Sequence, residues 1–265
     1  MKFFWSLLFL SVPVLGTGLY VWAAYGWAPL ESGWLPEDIS QAGATIDHLF
    51  MLIHYISAVI FIGTGVVLAW SMWRYSGDRD GKASYVHSNT RLEVVWSIIP
   101  GIILIFLSLY QMQSWADNKI NRPQIIVNNE KVNKPPMAIV KAKQFGWEIY
   151  YAGPDGLVDT ADDLYVENEL VVPMNDDVVL QLESRDVIHS FCIPELRLKQ
   201  DIVPGMKQFC WFRAINADPT KTYELICTEL CGFGHYKMKG KVRFLPAAEL
   251  SAWLVEQREI VLNQK

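Results

Sequence analysis

Two cysteines, a histidine and a methionine fall within twelve residues, Cys227-Thr228-Glu229-Leu230-Cys231-Gly232-Phe233-Gly234-His235-Tyr236-Lys237-Met238. Thiolates, an imidazole and a thioether form a soft donor set, which selects copper over calcium, magnesium or manganese. Zinc is the competitor, because it takes Cys and His readily. A thioether is a poor zinc ligand, however, and the stretch offers three good zinc donors with no second Cys-x-x-Cys pair to close a structural site. A methionine ending a Cys and His loop is the mark of a blue-copper site, where it is a weak axial ligand. This loop carries two cysteines, and two thiolates on one loop can bridge two metals. A binuclear centre then needs a second imidazole. His189, in His189-Ser190-Phe191-Cys192-Ile193-Pro194, is the only other histidine in the C-terminal part of the chain.

Each residue also has an ordinary reading. A lone His or Met in a β domain is more often core than ligand, and paired cysteines in an exported domain are more often a disulfide. Three intervening residues place Cys227 and Cys231 awkwardly for a bond to each other. Cys192 and Cys210 sit in apolar strand contexts and read as buried thiols. No nucleophile with its base, phosphate-cradling loop or catalytic carboxylate pair is evident. Five histidines in all are too few to supply haem and copper ligands for oxygen chemistry here. What remains is electron carriage.

The elements that must position these residues follow from the distribution of charge. Of 265 residues, positions 3–30, 49–73 and 94–116 carry no Asp, Glu, Lys or Arg. Each window reaches the roughly 20 apolar residues that span a hydrocarbon core. The rest of the chain is charged at about the quarter usual for soluble proteins. The reading is a membrane anchor over 1–116 and one soluble domain over 117–265. Transmembrane helices are expected at about 49–73 and 94–116, and a helix or secretory signal at 3–26. The length of the first uncharged run favours a retained helix. Arg74, Arg79, Lys82 and Arg91 flank the second and third windows, whereas the loop after the first carries Glu31, Glu37, Asp38 and Asp47. By the positive-inside rule the basic loop is cytoplasmic and the soluble domain lies outside. In a bacterium this means a multi-pass inner (cell) membrane protein with a periplasmic domain.

The soluble part alternates short β-branched and aromatic runs with Gly, Pro and Asp turns. Such runs are Gln124 to Val127, Ala138 to Phe145, Asp177 to Leu182, Lys207 to Phe212, Thr222 to Cys227 and Lys239 to Leu245. This predicts a sandwich or Greek-key barrel. Only Ala247 to Leu262 reads as helix, with Leu250, Trp253, Leu254 and Ile260 on one stripe. Residues 148 to 186 hold eleven carboxylates against one cation, Arg185. Such a run disfavours nucleic acid and would steer a basic partner, or is simply a solvated face.

Three motifs together resemble subunit II of the cytochrome c oxidases of the haem-copper family: His189-Ser190-Phe191-x-x-Pro194, Leu198-Lys199-x-Asp201-x-x-Pro204-Gly205 and the 227–238 loop. Glu93-Val94-Val95-Trp96-Ser97-Ile98-Ile99-Pro100 resembles the start of that family's second membrane helix. The resemblance runs from about residue 45 to 255. It implies a cupredoxin-like Greek-key barrel holding the binuclear copper A (CuA) centre, with Cys227 and Cys231 bridging both coppers. His189 and Met238 would complete one copper, and His235 with the backbone carbonyl of Glu229 the other. The Glu229 carboxylate would help bind magnesium at the interface with subunit I, and Glu93 would lie at the mouth of a proton pathway. The resemblance further implies subunits I and III as partners and cytochrome c or another haem donor. The acidic face 148–186 is the expected docking site, and oxygen reduction and proton pumping belong to the partner subunit. The family's Gln-Trp-aromatic-Trp patch, where electrons come in, reads here Gln144-Phe145-Gly146-Trp147-Glu148-Ile149-Tyr150-Tyr151. The leading tryptophan is a phenylalanine. Phe145, Trp147 and Tyr150 are therefore the candidates for receiving the electron.

Overall fold

The computed structural model describes residues 2–25, 34–75, 77 and 84–263. Glu31, Arg79 and Lys82, invoked above for orientation, lie outside the described residues, as does Gly26 at the end of the first candidate segment. The charge-free windows form three helices, α1 (Lys2–Ala24), α2 (Gly43–Tyr75) and α3 (Thr90–Lys119), each long and apolar enough to cross a membrane. No residue of α3 is buried, although most are apolar. That combination is stable when lipid is the solvent and the helix satisfies its own backbone. At about 1.5 Å per residue the 33-residue α2 and 30-residue α3 exceed a hydrocarbon core of about 30 Å, so both carry turns beyond it.

The chain divides into two compact units, one of residues 1–36 and 47–112, the other of 37–46 and 113–265. Within the first, α1 is fitted to α2. A Cβ at Gly65 would stand 2.4 Å from Pro13 Cγ, so only glycine admits the proline ring. Higher on the same pair, the Tyr20 ring stacks on His54 at 5.2 Å, and Tyr25 and Tyr55 hydroxyls lie 2.9 Å apart. At the start of α3 the Asn89 side chain accepts the Leu92 N–H, and Glu93 turns back to accept the Asn89 N–H at 3.3 Å, a reciprocal cap.

Among its described residues the second unit has twelve strands. A small hairpin, β1 (Gln124–Val127) and β2 (Glu130–Asn133), precedes β3 (Ala138–Lys143), β4 (Gly146–Tyr151), β5 (Leu164–Glu167), β6 (Glu169–Pro173) and β7 (Val178–Ser184). Then come β8 (His189–Ile193), β9 (Leu198–Ile202), β10 (Gln208–Phe212), β11 (Tyr223–Cys227) and β12 (Lys239–Leu245), and a closing helix α4 (Ala247–Asn263). They make two five-stranded sheets in the orders β10-β7-β3-β4-β5 and β6-β12-β11-β8-β9. The pairs β3–β7 and β6–β12 are parallel and the other pairs within these two sheets antiparallel, so strands distant in sequence lie side by side. This is the expected all-β architecture of cupredoxin-like type with a C-terminal helix. One hydrophobic core lies between the sheets, with Trp147, Tyr151, Leu180, Phe191, Ile193 and Phe244 all fully buried.

The helix α4 closes one side of that core through Leu250 and Trp253, whose ring meets Tyr151 edge-on at 5.6 Å. Ile260, expected on the same stripe, is exposed, and Val261 packs there instead. At 3.6 residues per turn, position 261 returns to the azimuth of Leu250 and position 260 does not. Residues 37–41, read as plain loop, add a short edge to the unit: Ile39 is buried and Ser40 bridges Ala214. The Ile39 N–H donates to the Glu195 carbonyl, and Ile39 accepts from the Ile215 N–H.

Candidate metal centre

Strand pairing brings the donors together. Strand β11 runs antiparallel to β8 with Cys227 opposite Phe191, so the end of β11 meets the start of β8, where His189 stands. On its other side β11 pairs with β12, Ile226 opposite Lys239, and the Cys227 N–H donates to the Met238 carbonyl at 3.2 Å. The first and last residues of the twelve-residue loop are thus clamped by one hydrogen bond. A single 3-10 turn at His235–Lys237 folds the remainder back.

The resulting geometry is tight. The Cys227 and Cys231 sulfurs are 3.9 Å apart. Cys227 Sγ lies 3.9 Å from His189 Nδ1 and 3.2 Å from the Glu229 carbonyl. Cys231 Sγ lies 3.7 Å from His235 Nδ1 and 3.8 Å from Met238 Sδ. His189, Cys227 and Cys231 offer ligand atoms within 4.8 Å of one another. All four cysteines are free, and sulfurs at 3.9 Å are far beyond the roughly 2.05 Å of a disulfide. With sulfur–metal bonds of about 2.3 Å, two sulfurs at this separation can share one ion. The soft donor set and its spacing therefore fit copper.

The electrostatics prepare the site for cations. Burial works against the Cys227 thiolate, but hydrogen bonds from His189 and from backbone groups at Ser190 and Glu229 outweigh it and bring the thiol down to about 6. Burial and then the neighbouring Cys227 charge push Cys231 up to about 11. Two thiolates this close repel unless cations replace the protons, which is what metal binding accomplishes. His189 is completely enclosed, and its outer nitrogen Nε2 is 2.8 Å from Asp186 Oδ1. A carboxylate only accepts, so Nε2 carries a hydrogen, and Nδ1 faces Cys227.

The aromatic candidates separate clearly. Phe145 is 41% exposed, and its ring lies over the ligand loop. A Cβ at Gly234 would sit 2.5 Å from Phe145 Cδ2, and one at Gly232, where φ is +131°, would sit 2.8 Å from Gln144 Nε2. Gly232 is favoured by its positive φ, and at Gly234 a side chain would have to displace the Phe145 ring. Gln144 adds a direct tie, its side-chain N–H donating to the Cys231 carbonyl at 2.5 Å. Trp147 is wholly buried, edge-on to Phe191, because alternation along β4 turns 147, 149 and 151 inward. It is a core residue and offers no surface to a donor. Tyr150 is half-buried, its hydroxyl bonded to Glu148 and its ring 5.2 Å from Lys141 Nζ. Sequence reasoning missed Gln144, the two glycines and Asp186 as parts of this end of the molecule. Only the placement of Asp186 three residues before His189 offered a signal.

The acidic run is not a free negative face. Glu148 pairs with Lys143 and Arg185, Asp159 and Glu183 with Lys141 and Lys207, and Glu167 with Lys143. Glu169 pairs with Arg243, Asp176 with Lys134, and Asp177 with Arg213. Cations, most of them from elsewhere in the chain, pair with seven of the eleven carboxylates, which leaves Asp155, Asp162, Asp163 and Asp186 outside these pairs. The exposed side chains in and beside the metal loop are mostly apolar, Leu230, Phe233, Tyr236, Phe145 and Ile188, with Phe233 94% exposed, and Lys237 adds an exposed cation.

Two family models match the chain, "Cytochrome C oxidase subunit II, periplasmic domain" over residues 147–244 and "Cytochrome C oxidase subunit II, transmembrane domain" over 34–113. The chain is 25% identical to the alternative cytochrome c oxidase subunit 2 of Bradyrhizobium diazoefficiens, across 96% of this chain and 91% of that one. It is 27% identical to cytochrome c oxidase subunit 2 of Thermostichus vulcanus, across 94% and 86%. Among solved structures it is similar to the periplasmic domain of subunit II of the Bradyrhizobium japonicum cytochrome oxidase, with 27% identity and a TM-score of 0.41, covering 48% of this chain and 97% of that one.

Proposed function

The chain belongs to the cytochrome c oxidase subunit II family, a membrane protein with a periplasmic soluble domain, and we propose that this domain holds a binuclear CuA centre that relays electrons to subunit I. The observation that carries the proposal is the convergence at the two sulfurs. Each sulfur has two further donor atoms close by: His189 Nδ1 and the Glu229 carbonyl at Cys227, Met238 Sδ and His235 Nδ1 at Cys231. Cys227 and Cys231 would hold both coppers, His189 and Met238 would complete one, and His235 with the Glu229 carbonyl the other. When bound, the centre supplies one-electron storage shared across two thiolate bridges.

Most residues that would hold this centre are buried: His189, Cys227, Cys231 and Met238 are at most 8% exposed, while His235 is partly exposed. A cage held mostly away from water changes little when one electron is added, which keeps the barrier to transfer small. Electrons enter past Phe145, since its ring covers the loop between Cys231 and His235. The donor is cytochrome c or a related haem protein that docks on the apolar collar. Subunit I reduces oxygen and pumps protons, with subunit III beside it in a bacterial inner membrane. The Glu229 carboxylate contributes to a magnesium site facing subunit I, and Glu93, besides capping α3, lies at a proton path.

Copper titration of the purified full-length chain in detergent tests the reading. Two coppers per chain and an intense purple absorbance are expected. A colourless product with one metal, as a zinc-type site would give, contradicts it.

A further inference from the structure

We propose that Asp186 is a positioning residue for the metal centre, its carboxylate holding the His189 ring and the turn that carries Phe145 in one register. The inference rests on the copper reading above and concerns how the protein sets that site. Asp186 was counted among the carboxylates of the acidic run, where its expected part was to attract a donor. Its geometry points inward. One oxygen lies 2.8 Å from His189 Nε2 and also accepts the Val187 N–H at 2.7 Å. The other accepts the Gln144 N–H at 2.7 Å, across from the β3–β4 turn. The turn that presents it is itself fixed, with the Asp186 N–H donating to Ser184 Oγ and the Ser184 hydroxyl donating to the Val187 carbonyl.

His189 has no exposure to water, so the state of its outer nitrogen is decided by this carboxylate. Donation to an anion fixes the tautomer, holds the ring plane and raises the basicity of the nitrogen that faces the metal. Gln144 is tied a second time through its side chain to the Cys231 carbonyl. The Phe145 turn is thereby fastened to both halves of the centre, to His189 through Asp186 and to Cys231 directly. A continuous hydrogen-bonded route runs from the backbone beside Phe145 to a metal ligand.

Copper-loaded full-length chain in detergent, as wild type, Asp186→Asn and Asp186→Ala, provides the test. Asp186→Ala is expected to weaken copper binding about 10–100-fold in chelator competition, the range typical for lost partners of ligating histidines. Its midpoint potential should rise, because a less basic imidazole stabilises the oxidised centre less. The isosteric Asp186→Asn keeps an acceptor for His189, so it should retain most of the affinity while its potential still rises. In the metal-free chain, Asp186→Ala should speed hydrogen exchange at the Gln144 and Val187 amides. Wild-type chain that takes up no copper overturns the centre itself. Wild type that loads normally, with affinity, potential and amide exchange unchanged in Asp186→Ala, overturns this role for Asp186 alone.

Discussion

The ligand loop, residues 227–238, and the acidic run, residues 148–186, are the two most conspicuous stretches of the soluble domain, and they fare differently once folded. The loop keeps its meaning. Its donors converge because neighbouring strands on both sides of β11 close it, and each sulfur finds its partners within 3.9 Å. The run loses its meaning as a charged face, because lysines and arginines from β1–β3, β7–β8 and β10–β12 or their adjoining turns neutralise most of it. A ligand set is a property of residue type at short spacing, which the chain carries with it. A surface potential is a property of what lies nearby in space. Asp186 belongs to the run by sequence, yet its hydrogen bond to His189 ties it to the metal centre.

The largest expected effect comes from breaking the loop's chemistry. Cys227→Ser should abolish the copper chromophore, with metal per chain falling well below two by elemental analysis, while strand content by circular dichroism is retained. Next comes the seat of the loop beneath Phe145. Gly234→Val drives a side chain into the Phe145 ring and should cost about 1–3 kcal/mol in denaturant unfolding, as overpacking does. Adding Phe145→Ala should recover part of that loss, and a strictly additive pair would break the claimed contact.

The acidic run is sharpened by pH. Lys207 and Lys141 hold the Asp159 carboxyl below its usual value; at Glu148 burial acts upward but is outweighed by Lys143 and Arg185, giving the same direction. A group whose folded value is depressed contributes stability above its unfolded value, and that contribution is lost as pH falls through the folded value. The thermal midpoint should therefore drop below about pH 4, and a midpoint flat to pH 3 would mean the pairs contribute nothing. The smallest effect is expected of Lys207→Gln, whose side chain is exposed. Exposed pairs are worth under about 1 kcal/mol, so stability should barely move. Association with a cationic haem donor should nevertheless become more salt-dependent than in wild type, as Asp159 and Glu183 are partly unmasked.

Much of this was legible along the chain. As far as their residues are described, the three charge-free windows fall almost wholly on α1–α3; Cys227, Cys231, His235 and Met238 stood out by type and spacing and His189 as the remaining histidine, whereas the Glu229 carbonyl came only with the family resemblance. The limits have physical causes. Trp147 looked like a surface aromatic beside Phe145, yet two-residue alternation along β4 sends it inward with Ile149 and Tyr151. The edge contributed by Ile39 and Ser40 depends on pairing with Ala214, some 170 residues away, and no local pattern encodes that. The preference for glycine at 234 comes from the Phe145 ring, carried on a turn of another strand pair.

The central claim is that one unpaired electron is shared between two coppers bridged by Cys227 and Cys231. Electron spin resonance of the oxidised, copper-loaded full-length chain tests it most directly. Hyperfine splitting by two equivalent copper nuclei is the predicted result, and splitting by a single copper nucleus would contradict it.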